Sequence, residues 1–256
     1  MKPAYLVVLI TAFTSLNGCA KDYSLAPPAD SEQITVTIKV PDQLKAESMR
    51  VMYRSKICTF INHTAGGEPY KRDGYRKIDL QPVRRGESDL YEAKLAVDGG
   101  GACQWRLSNV TFGVVYEDPT IFGENVTYGA GGGVVVVFDN NDSSRGDKGI
   151  KVDGDLRIRK DYYPWVSETF LGQYTHRVSL MGEGDIYLGY QALQAKTVYF
   201  EPVLHSNFVL NSVEPKEKKG NYTIFTLPDG RVIADGRPDT KFSKLQAIRM
   251  AAEAAQ

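Results

Sequence analysis

The chain has 256 residues, of which 42% are hydrophobic and 24% charged. That composition excludes a disordered stalk and suits a folded body with a substantial core. Lysine plus arginine and aspartate plus glutamate number 31 each, so no net field recommends nucleic acid or an anionic lipid surface as a partner.

Lys2 precedes an apolar run from Ala4 to Phe13. The run is shorter than the about 20 residues of a spanning helix, and the layout is that of a signal peptide over residues 1–18. Leu16-Asn17-Gly18-Cys19 comes next: an apolar residue, a tolerant position, a small residue, then cysteine. It resembles the lipobox of bacterial lipoproteins. The resemblance implies a diacylglyceryl group on the Cys19 thiol and cleavage just before it. Because Ala20, not aspartate, is the second mature residue, it also implies the outer membrane, with the body facing the periplasm. Two or more acyl chains hold such a protein stably, whereas one gives an association constant of only about 10⁴ M⁻¹. With Cys19 assigned to lipid, Cys58 and Cys103 remain as a pair in an oxidising compartment, and a disulfide between them is expected.

Residues 19–31 read as a lipidated tether, since Pro27-Pro28 and small neighbours favour an extended spacer. Ile34, Val36, Ile38 and Val40 then alternate with polar residues, the period of a half-buried strand, and Pro41 stops it. Met49 to Ile61, Leu90 to Val97, Cys103 to Tyr116 and Val134 to Phe138 add further strands. The spacing predicts a disulfide-bonded antiparallel β-sandwich domain over 32–138. Gly129 to Gly133 precede a strand and not a helix, so they read as a turn or bulge and not as a phosphate loop.

The polar, glycine-bearing segment Asp139 to Gly149 marks a boundary. It fails as an EF-hand loop, because Ser144 and Ile150 stand where the turn glycine and the bidentate glutamate belong. A second β region spans 150–256, with strands in Ile150–Ile158, Arg177–Met181, Ile186–Tyr190 and Thr197–Val213. Asn221–Leu227 and Arg231–Ile233 flank the turn Pro228-Asp229-Gly230. From Thr240 the residues favour helix, with Asp239 or Thr240 as cap and Phe242, Leu245, Ile248 and Ala252 at helical spacing. The fold class is therefore mainly β, with a C-terminal α-helix.

His63, His176 and His205 lack metal-ligand spacing, and neither HExxH nor G-x-S-x-G occurs. The sequence thus predicts no catalytic residue, no metal and no cofactor. Three stretches carry arginine or aromatic residues, the types enriched at binding hot spots. Tyr70, Arg72 and Tyr75 lie in the first, Arg84 and Arg85 in the second, Tyr163 and Trp165 in the third. Each is a candidate partner contact. A solvated loop is the competing reading for the first two and a core-facing corner for the third.

A tethered, near-neutral, disulfide-bonded β protein without catalytic motifs suits holding another molecule. The lipobox with Ala20, the spacer, the length and the cysteine-bearing β body resemble the lipoprotein immunity proteins paired with type VI secretion phospholipase effectors. The resemblance implies stoichiometric inhibition of a secreted phospholipase. The alternatives are a structural or assembly lipoprotein bound to another envelope component, and a carbohydrate-binding or carbohydrate-active protein.

Overall fold

The computed structural model describes residues 22–140, 149–184, 187–217, 220–234, 236 and 241–255. The leader, Cys19, Ala20, residues 141–148 and the cap candidates Asp239 and Thr240 lie outside the described residues. Before the polar segment the strands are β1 (Gln33–Lys39), β2 (Leu44–Ala46), β3 (Met49–His63), β4 (Pro69–Leu80), β5 (Val83–Arg84), β6 (Leu90–Ala96), β7 (Asp98–Gly100), β8 (Trp105–Tyr116), β9 (Thr127–Tyr128) and β10 (Gly132–Val137). After it come β11 (Ile150–Lys151), β12 (Leu156–Thr169), β13 (Thr175–Gly182), β14 (Tyr187–Gln191), β15 (Thr197–Leu204), β16 (Leu210–Val213), β17 (Ile224–Thr226) and β18 (Val232–Ile233). The helix α1 (Lys241–Ala254) closes the described chain.

One sheet runs β11-β14-β10-β8-β3-β4, with β2 and β7 also on β8. The other runs β18-β17-β16-β12-β15-β1-β6-β5, with β13 on β12 and β9 on β13. Their facing sides form one core. Val36 and Ile38 of β1, Val51 of β3, Val110 of β8 and Phe200 of β15 are each 0% exposed. Phe112 and Phe200 meet edge to face across the gap, their ring centroids 5.8 Å apart. Burying each such side chain contributes about 1.5–3 kcal/mol.

The sheets are mixed, which corrects the antiparallel expectation. β15 lies between β1 and β12 and runs parallel to both, and β14 runs parallel to β10. Alternation with period two fixes which face of a strand is buried but is blind to its direction, so parallel partners leave no trace in it. Both sheets also take strands from both sides of the polar segment. That segment therefore connects strands of one sandwich, and residues 32–138 do not close a sandwich without β12 and β15.

A second, smaller core lies on the other face of β12. Tyr163, Leu210 and Leu227 pack there against Leu245 and Ile248 of α1, with Phe242 beside them. The helical spacing of Phe242, Leu245 and Ile248 is what puts them on one docked face.

The glycines from Gly129 to Gly133 serve close approach and not a reversal, since none has a positive φ. A Cβ on Gly132 would enter the Tyr162 ring at 2.5 Å, and Gly182 crowds the same ring from β13. Bare Cα atoms let β10 and β13 close on an aromatic side chain between the two sheets.

Candidate functional site

β3 pairs with β8 only from Arg50 to Arg54. Among the described residues its partner beyond Arg54 is β4 alone, first to Ser55↔Gly74 and then from Phe60↔Arg72 to His63↔Pro69. Four residues of β3, Lys56 to Thr59, face the single residue Asp73 across this large bulge. Past the bulge, Phe60 and Ile61 are consecutive residues and so point to opposite faces of the ribbon. They are 37% and 61% exposed. A strand covered on one side would hide one of them, so the β3–β4 hairpin leaves the sandwich here as an arm open on both faces.

A lone two-stranded ribbon is marginal in water. This one is held at its root by the Cys58–Cys103 disulfide, which joins β3 to the β7–β8 turn with the Cα atoms 5.3 Å apart. Ser55, 2% exposed, reinforces the root. Its hydroxyl donates to the Cys103 carbonyl at 2.5 Å and accepts the backbone N–H groups of Ile57 (3.1 Å) and Cys58 (2.9 Å). The bulge thus keeps partners for its backbone although it breaks the ladder.

The arm carries Ile57, Phe60 and Ile61 on β3 and Tyr70 and Tyr75 on β4, all exposed. Phe60 and Tyr75 meet edge to face at 5.8 Å, and Asn62 donates to the Tyr70 hydroxyl at 3.2 Å. Lys56, Lys71, Arg72 and Arg76 outnumber Glu68 and Asp73 between residues 56 and 76. At the root opens a cleft of about 700 Å³ whose walls include Arg54, Lys56, Ile57, Asp73, Arg106 and Leu193.

The same root receives the start of the described chain. Trp105 Nε1 donates to the Tyr23 carbonyl at 3.2 Å, the Ala26 N–H donates to Gly99 at 2.9 Å, and Leu25 packs on the core. Cys103 Sγ lies 3.9 Å from the Asp22 carbonyl oxygen, a packing contact because a disulfide sulfur has no proton to donate. Gly100 and Gly101 have φ of +55° and +70°, and a Cβ on either would collide with the Ala26 or Ser24 carbonyl. The expected free spacer is therefore docked from Asp22 onward, because a glycine cradle lets its backbone sit against β7. Two hydrogen bonds from Ser24 and the Arg76 guanidinium hold the Asp22 carboxyl below the usual carboxylate range.

The sequence candidates separate cleanly. Tyr70, Arg72 and Tyr75 are exposed on the arm. Arg84 and Arg85 are exposed on and beside β5, at the edge of the other sheet, and are engaged locally. Arg84 donates to the carbonyls of Ser88 (2.7 Å) and Glu87 (3.1 Å), and Arg85 lies 3.6 Å from Glu92. Tyr163 is 0% exposed beneath α1. Its hydroxyl donates to Gln246 at 2.7 Å and accepts from Arg249 Nε at 3.0 Å. Trp165 is half-buried and donates to Ser212 Oγ at 2.8 Å. The partner-contact expectation for Tyr163 and Trp165 is corrected, since the core-facing corner describes both. His205 belongs to the same network, with Nε2 2.9 Å from Asp161 and its ring stacked on Tyr163 at 4.9 Å.

Sequence reasoning missed Ile57, Phe60 and Ile61 as surface groups. They lie in a run that reads as an ordinary strand, and only its lack of a second partner strand exposes them. Among the described residues no group of three or more His, Cys, Asp or Glu could hold a metal ion, and no helix is long and apolar enough to cross a membrane. Neither protein-family models, nor curated proteins, nor solved structures contain a match to this chain.

Proposed function

We propose that this chain is a lipid-anchored, periplasm-facing protein that neutralises a type VI secretion phospholipase by stoichiometric binding, with the β3–β4 arm as its contact. The observation that carries the reading is the arm itself: exposed aliphatic and aromatic side chains flanked by arginines, on a ribbon locked at its root. Aromatics and arginine are the usual central anchors of protein interfaces. A pre-stapled ribbon loses little conformational freedom on binding, which removes a large part of the cost of association. Inhibition in this form covers the enzyme's entrance or blocks its lid, and the narrow arm suits a concave target. Lipidation at Cys19 and the choice of a phospholipase rest on the resemblances given above.

The test is to look for a phospholipase gene beside that of this chain, titrate the purified chain against its product and follow lipid hydrolysis. Inhibition that saturates near one equivalent supports the reading. Undiminished hydrolysis at excess ends it.

A further inference from the structure

The described chain starts at Asp22, three residues after Cys19. Three extended residues span at most about 11 Å. Asp22 is fixed on the root of the arm: its carbonyl oxygen lies 3.9 Å from Cys103 Sγ, and the next carbonyl, of Tyr23, accepts from Trp105. Whatever holds Cys19 therefore holds the root within about 11 Å of itself. The arm beyond the root is short as well. Ile61 lies three residues past Cys58 on β3, about 10 Å at the rise of a strand. With Cys19 lipidated, the arm stands at the membrane surface.

The two faces of the ribbon differ in kind. On the first, Phe60 stands opposite Arg72 and Asn62 opposite Tyr70. On the second, Ile61 stands opposite Lys71 and His63 opposite Pro69, and all four are exposed. The first face carries the aromatics and arginine of a protein contact. The second presents an aliphatic side chain that is 61% exposed, beside a lysine whose apolar stem can lie along an apolar surface while its ammonium stays in the polar layer. Tyr23, at the root, is 50% exposed, and tyrosine is a residue type enriched where membrane meets water.

Charge agrees with this placement. Lys56, Lys71, Arg72 and Arg76 against Glu68 and Asp73 leave the arm positive, an excess local to it because the whole chain has 31 charges of each sign. Basic groups are drawn to an anionic lipid surface only within about a Debye length, roughly 8–10 Å. The tether keeps the arm's root close to that range. Support is a further gain, since a ribbon with neither face covered is marginal in water.

We propose that the Ile61–Lys71 face of the arm rests on an anionic phospholipid surface, with the Ile61 side chain in the interfacial layer. The inference rests on the lipidation of Cys19 in the proposed function and deepens it. One face of the arm lies on lipid, and the Phe60–Arg72 face stays open to an enzyme working on that lipid. The tether brings the second face to lipid before any protein partner arrives, which is why lipid is its occupant.

The experiment uses the mature lipidated protein in vesicles of phosphatidylcholine and phosphatidylglycerol with brominated acyl chains, which quench tryptophan at short range. Ile61→Trp is compared with Val83→Trp, an exposed position on β5 of the other sheet, each against the wild-type background of Trp105 and Trp165. The added emission of Ile61→Trp should be quenched at least twofold more than that of Val83→Trp. In the wild type, amides of residues 58–63 and 69–73 should exchange more slowly on vesicles than in the unlipidated chain in solution, and Ile61→Asp should remove that slowing. The inference is overturned if Ile61→Trp is quenched no more than Val83→Trp. It is also overturned if the wild-type arm exchanges equally fast on and off vesicles, because the new indole alone would then have made the contact. A face that is unquenched on vesicles but protected by a protein partner belongs to that partner, which equally overturns it. Intact-mass spectrometry separates the two readings: an unmodified Cys19 overturns both, whereas a lipidated chain with an unquenched Ile61→Trp overturns this one alone.

Discussion

The carbonyl of Cys58 lies against the bare Cα of Gly74, so close that any Cβ at that position would overlap its oxygen. The contact seats the bulge of β3 on β4 and so sets the direction in which the arm leaves the sandwich. Gly74→Ala must push the Cys58 backbone away while the disulfide holds it. The expected cost is that of overpacking, about 1–3 kcal/mol, read as a lower midpoint in denaturant. An unchanged midpoint would show that the root yields freely and does not direct the arm.

Reduction of Cys58–Cys103 tests the staple. The bridge closes a loop with a sequence separation of 45, and the chain-entropy model gives about 4 kcal/mol for a loop of that size. The loss should also be uneven. Amide exchange in residues 56–72 should accelerate well before that of Val36 or Phe112, because the arm has only β4 for support while those strands lie in the main core. Uniform acceleration along the chain would mean that the arm is no more dependent on the bridge than the core is.

Strand positions were readable because alternation is a local property. Ile34 to Val40 and Cys103 to Tyr116 became β1 and β8, and Phe242, Leu245 and Ile248 became the docked face of α1. The Cys58–Cys103 disulfide was readable from cysteine number and the expected compartment. What escaped depends on contacts distant in sequence. Pro69 to Leu80 carries so many charges that its alternation is masked, and its identity as β4 comes from β3. The same remoteness hid the site: Tyr70 and Tyr163 stand in similar basic-aromatic surroundings, yet one ends on a free ribbon and the other under a helix.

That contrast gives a stability prediction. Tyr163→Ala removes a fully buried ring together with its bonds to Gln246 and Arg249, and should cost about 3–5 kcal/mol. Tyr70→Ala, on the exposed ribbon, should stay within about 0.5 kcal/mol. Chemical denaturation of the two variants checks the order. Comparable losses would contradict the separation of arm from core.

Alkaline pH should expose the buried phenols. Burial raises the pKa of both Tyr116 and Tyr162 above the ordinary 10.0. The unfolded chain then releases these protons first, so it binds fewer protons than the native state and stability falls as pH rises past 10. Each such phenol contributes up to about 1.4 kcal/mol per pH unit there. Lys160 works in the opposite sense. Its pKa is depressed in the fold, so its burial penalty is present at low pH and is relieved as pH rises towards 10.5, the value in the unfolded chain. Stability measured from pH 8 to 11 should therefore turn downward above about 10. Tyr116→Phe should flatten the descending limb and leave the ascending one alone.

The arm and the β5 edge make different predictions for binding, although both supplied candidates by residue type. Arg84 already donates two hydrogen bonds to its own loop, and Arg85 has Glu92 within reach. A partner would have to break the first set to recruit Arg84, and an exposed pair such as Arg85–Glu92 carries little energy to redirect. On the arm, Tyr75 is held by an edge-to-face contact with Phe60, which orients its ring without burying it. Arg72 stands opposite Phe60 in the ladder and shares its face. Phe60, Arg72 and Tyr70 therefore share one face of the ribbon, and Tyr75 touches Phe60 from beside the bulge, a partly pre-ordered group of the residue types expected of a central anchor cluster. Alanine at Tyr70, Arg72 or Tyr75 should cost about 2 kcal/mol or more of partner binding at whichever position is central, with stability unchanged. Alanine at Arg84 or Arg85 should alter chiefly the association rate and its salt dependence. Binding kinetics for the five variants against the proposed phospholipase partner decide between the surfaces. Losses confined to Arg84 and Arg85 would move the contact to the β5 edge and leave the arm without its proposed role.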